Sequence, residues 1–105
     1  MSALNLLRSA AGAALLVNAV PHGVAGVQGT PFPSPFSDPP GVGLSSPAVN
    51  VAWSAANLFA GRLLMERSGG TAGERAVAAL AATGMALVLA AHFGRVLGGS
   101  RRVRR

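Results

Sequence analysis

Between Ala76 and Phe93 the chain holds no ionisable side chain except His92. An uncharged apolar run of this length either sits in the core of a large soluble protein or crosses a bilayer, whose hydrocarbon layer is about 30 Å thick. A chain of 105 residues has no large core to offer. Charged residues make up only 11% of it and hydrophobic residues 50%, with a mean hydropathy of +0.46, whereas a soluble domain carries about 25% charge. The expected fold is therefore all-α, a single domain formed by a small integral membrane bundle of three transmembrane helices.

The spans fall at about 4–27, 46–65 and 72–97. In the second, Ser46 is placed to cap and Pro47 suits the first helical position, where its missing N–H costs nothing. This segment is only just long enough to cross, and it does so if Arg62 reaches the far headgroups. In the third, Thr71 and Glu74 have the spacing of a capping box, and Gly98-Gly99 supply a stop signal. The first contains Pro21, which removes a backbone donor and predicts a kink. Gly23, Gly26 and Gly29 then loosen the chain towards the loop. A cleaved signal peptide is the competing reading of this first segment, with Arg8 before the apolar run 10–17 and Val17-Asn18-Ala19 as a small-residue cleavage site.

An extended Pro/Gly-rich loop, 29–46, joins the first two spans. Pro31, Pro33 and Pro35 alternate and favour extended backbone, and Pro39-Pro40-Gly41 signals a turn. Phe32 and Phe36 flank the prolines and are expected at headgroup level, unless the segment is simply a disordered linker. A short charged turn near Arg67 leads to the third span and predicts that the second and third helices pack antiparallel. Ala52 and Ala56 on one, with Ala82 and Ala86 on the other, are the small residues expected to let them approach closely. A basic tail at 100–105 carries Arg101, Arg102, Arg104 and Arg105, which either contact anionic lipid headgroups or serve only to set topology.

Polar residues at membrane depth turn inward and find partners. Asn18 and His22 are four apart in the first span and share a face; Asn50 and Asn57 share a face in the second. Because the loop returns the chain on the same side, His22 is expected at the depth of Asn50 and Asn18 at the depth of Asn57. These four residues form a polar intramembrane cluster that serves either as helix-to-helix adhesive or as a ligand or proton contact. Trp53, a turn or two below the helix start, is expected to anchor at the interface.

Several function classes are disfavoured. There is no Cys, and Asp38, Glu66 and Glu74 are the only acids, so thiol chemistry, paired carboxylates and an intramembrane acid are absent, and no cofactor or metal site is expected. The net charge of +6 is concentrated in the tail, which argues against a nucleic-acid-binding face. What remains is a non-enzymatic accessory or structural subunit acting through helix–helix contacts in the lipid bilayer, alone with lipid or with a larger membrane protein. The alternative is a homo-oligomeric small transporter or channel with a polar path lined by Asn18, His22, Asn50 and Asn57. All nine basic residues are Arg, and Ala, Gly and Pro abound, a bias of GC-rich genomes; the expected location is a bacterial plasma membrane, with multi-pass insertion.

Overall fold

A computed structural model describes residues 2–104, with side chains as far as residue 98. Three helices account for most of the chain: α1 (Ala3–Val27), α2 (Pro47–Arg67) and α3 (Ala72–Arg104). No strand occurs among the described residues; one antiparallel bridge joins Phe32 and Ser45 in the loop. Two of the helices, α1 and the Ala72–Gly98 part of α3, are long and apolar enough to cross a membrane, while α2 is shorter and less apolar.

The helix starts are set by local chemistry. Ser46 Oγ accepts from Val49 N with Pro47 just inside α2. Thr71 Oγ1 accepts from Glu74 N while the Glu74 carboxylate takes the amides of Thr71 and Gly69, a reciprocal capping box at the start of α3. Gly29 adopts a positive φ of 70°, and the following Thr30 N bonds Ala25 O, the left-handed ending that closes α1.

Three expectations are corrected. First, α3 continues through Gly98-Gly99 to Arg104. A glycine inside a helix costs only about 1 kcal/mol relative to Ala and, with no proline nearby, does not stop it. The side chains of Arg101, Arg102, Arg104 and Arg105 lie outside the described residues, and so do any headgroup contacts they make. Second, Gly23 and Gly26 do not loosen the chain: they lie inside α1, which runs unbroken through Pro21.

Third, α2 and α3 do not pack on one another. The central helix is α1, which touches both, and no α2–α3 backbone contact forms among the described residues. Ala52, Ala56 and Ala86 are exposed and Ala82 is half-buried. The reason is the closer fit that α1 offers. Gly12, Ala19, Gly23 and Gly26 form a stripe along it, and α2 lies antiparallel in that stripe. A Cβ added at Gly12 would stand 2.9 Å from Gly61 O, and one at Gly61 would stand 2.8 Å from Gly12 O, so the two backbones touch. At the other end a Cβ on Gly26 would meet Pro47 O and Val51 N at 2.9 Å. Such approach is open only to glycine, whose missing Cβ lets the two backbones meet in dispersion contact.

Candidate functional site: a polar and aromatic cluster beneath the proline loop

The loop between α1 and α2 folds back onto the helices. Phe32 and Ser45 exchange backbone bonds of 3.1 and 3.0 Å, Gly41 N donates to Ser34 O at 2.8 Å, and the Ser34 and Ser45 hydroxyls meet at 2.6 Å. Pro33, Ser34, Ser37 and Ser45 are buried as a result. Phe32, expected at headgroup level, is half-buried instead. Its ring lies 4.6 Å from that of Phe93 on α3 and 5.5 Å from that of His22 on α1. These bonds satisfy several of the loop's polar groups as it folds inward.

Asn50 fastens this loop. Its Nδ2 donates to Phe32 O at 2.9 Å, to Ser46 O at 3.1 Å and, more weakly, to Ser45 O at 3.4 Å. Those carbonyls fix which end of the amide is nitrogen. Its Oδ1 therefore faces His22 Nδ1, 2.7 Å away, and the imidazole nitrogen donates. Asn50 and His22 are 0% and 3% exposed. A turn deeper, Asn18 Nδ2 donates to Asn57 Oδ1 at 3.1 Å, and Asn57 Nδ2 donates to Trp53 O. The structure thus brings the four polar residues into two pairs, His22 with Asn50 and Asn18 with Asn57.

Sequence reasoning missed two contributors. Ser54, buried between Asn50 and Asn57, donates to Ala19 O at 2.8 Å and so joins α2 to α1 between the two amide pairs. Its position four after Asn50 and three before Asn57 was the available signal. His92, from α3, reaches the loop: its Nε2 donates to Gly41 O at 2.7 Å across fifty-one positions. No local pattern announces that bond.

Around His22 stand the rings of Phe32, Trp53 and Phe93, centroids 5.5, 6.5 and 6.0 Å away, all edge-on to it. Trp53 also meets Phe36 at 5.2 Å, so its ring faces the loop and the cluster; its Nε1 is buried with no acceptor among the described residues. Between these groups and the loop is an open cavity of about 330 Å³ lined by Asn18, His22, Trp53, His92 and Phe93, among others.

The class these features define is an all-helical chain with two helices fit to cross a membrane and a polar, aromatic cluster under a folded loop. Comparison with protein-family models, with curated proteins and with solved structures finds no match.

Proposed function

We propose that this chain is a multi-pass membrane protein of three spans, in a bacterial plasma membrane, that acts as a non-enzymatic accessory or structural subunit through its outer helix faces. The observation that carries this reading is how its interior polarity is used. Asn50, Asn57 and Ser54 are almost wholly buried and bonded to the chain's own α1 and loop, so these groups are engaged in holding the fold together. Outside, α3 presents Leu80, Leu87 and Val88 with nothing packed on them, and α2 presents Val51, Leu58 and Phe59. Surfaces of this kind suit lipid or the helices of a partner.

The third span is α2. It follows α1 antiparallel from the Gly26–Val51 contact to the Gly12–Gly61 contact, so a bilayer that covers α1 covers α2 as well. Its polar side chains are hidden against α1, which explains how a less apolar helix is tolerated in lipid. Its only charges, Arg62, Glu66 and Arg67, lie in the last turns, the first two paired at 3.0 Å.

Native mass spectrometry of the protein released from its own membranes in mild detergent tests the proposal. Recovery with a larger, different polypeptide is the expected result. A complex of identical chains alone, with ion or solute flux that Asn50→Leu abolishes without disturbing assembly, would replace it with the transporter reading. Complete release by alkaline carbonate would remove the membrane reading altogether.

A further inference from the structure

From the cavity under the proline loop we infer a binding site for a small, lipid-soluble hydroxyaromatic molecule of the phenol or quinol class, whose hydroxyl donates to His22 Nε2. The inference goes beyond the accessory role and does not depend on it. Two observations converge on this chemistry.

The first is the state in which His22 is held. Asn50 Oδ1 occupies Nδ1, and Asn50 is itself oriented by loop carbonyls. Neutral His22 therefore carries its proton on Nδ1 and presents a lone pair at Nε2, to which no donor comes among the described residues. A buried imidazole oriented by a second group, with its other nitrogen bare, is an acceptor prepared for an O–H.

The second is the setting. Trp53 and Phe93 line the cavity edge-on to His22 and offer apolar faces to a flat ring. The cavity volume of about 330 Å³ falls at the small end of the range of about 300–1,000 Å³ usual for ligand sites, which suits one ring and excludes bulky lipids. No acid or arginine lines it, so a charged ligand would find no counter-charge.

Trp53 is the sole tryptophan and the chain has no tyrosine, so its fluorescence reports directly on the site. The experiment titrates the full chain in detergent with 4-bromophenol, a heavy-atom quencher with the hydroxyl, and with 4-bromoanisole, the same ring with the donor methylated. The expected result is saturable quenching by the phenol and affinity at least about tenfold weaker for the ether, as a site built to bind a hydroxyl rejects an analogue lacking its donor. The ether partitions more strongly into micelles, so partition alone predicts the opposite order. His22→Asn keeps a donor at the position of Nδ1, towards Asn50, and leaves nothing in the place of Nε2; it should bring phenol and ether within about twofold of each other. Linear, unsaturable quenching, or equal affinity for the two probes on the unaltered chain, overturns the inference whether or not the variant folds. Undiminished preference for the phenol in folded His22→Asn overturns the role given to His22.

Discussion

His22 Nδ1 and Asn50 Oδ1 lie 2.7 Å apart across twenty-eight positions of sequence, and through that one contact α1, α2 and the proline loop are tied at a single point. Asn50 has no exposure and spends its amide on three carbonyls besides. Asn50→Leu removes all of these bonds and leaves buried partners unsatisfied. Its expected cost is about 2–3 kcal/mol of unfolding free energy in detergent. Asn57→Leu, which breaks one side-chain pair and one bond within its own helix, should cost about 1 kcal/mol. Equal losses for the two would show that the loop does not depend on Asn50.

The backbone contact of Gly12 with Gly61 sets a second expectation. Gly61→Ala places a methyl 2.8 Å from Gly12 O and 2.9 Å from Leu16 Cγ, and the carbonyl cannot yield without moving α1. A loss of about 1–3 kcal/mol follows. Gly84→Ala on α3 meets nothing within 4 Å and gains helix propensity, so it should be neutral or stabilising by up to about 1 kcal/mol. Thermal unfolding of the two variants side by side separates packing from propensity.

His92 holds the tip of the loop through Gly41 O. His92→Phe keeps an aromatic ring beside Phe93 and discards the donor. Loss of about 1 kcal/mol of local restraint should raise hydrogen exchange at the Gly41 amide about fivefold, with the Asn18–Asn57 region unchanged. Unchanged exchange at Gly41 would mean that the internal bonds of the loop suffice to order it.

The absence of cysteine makes helix pairing directly testable by oxidation. A Cβ at Gly23 would stand 3.4 Å from Ser54 Cβ, close to the separation of about 3.5–4.5 Å that a disulfide spans, so Gly23→Cys with Ser54→Cys should cross-link α1 to α2. Ala56→Cys with Ala86→Cys should not cross-link within one chain, because the backbones of α2 and α3 both pack on α1 and do not approach each other.

Where α2 and α3 begin was legible along the chain, because capping is a matter of a few adjacent residues. Ser46 before Pro47 and Thr71 before Glu74 bond the amides one turn ahead, and no distant group is needed. The pairing of His22 with Asn50 and Asn18 with Asn57 was legible too, since a four-residue spacing gives a helix face and the return of the chain gives depth. The stop at Gly98-Gly99 was misread because a glycine permits a helix end without requiring one.

The sequence by itself determined the apolar character of the chain, its helical segments and the inward turn of its amides; these follow from local propensity and from the cost of burying bare polar groups. Only the tertiary structure decided which helix is central and where the loop goes. Small-residue rows occur on all three helices, and the choice among them rests on how closely backbones meet, as at Gly12 and Gly61. The inward fold of the loop rests likewise on partners contributed from afar, Asn50 from α2 and His92 from α3. Neither is a property of any one stretch of chain: a close approach and a satisfied carbonyl exist only once two distant segments share a place.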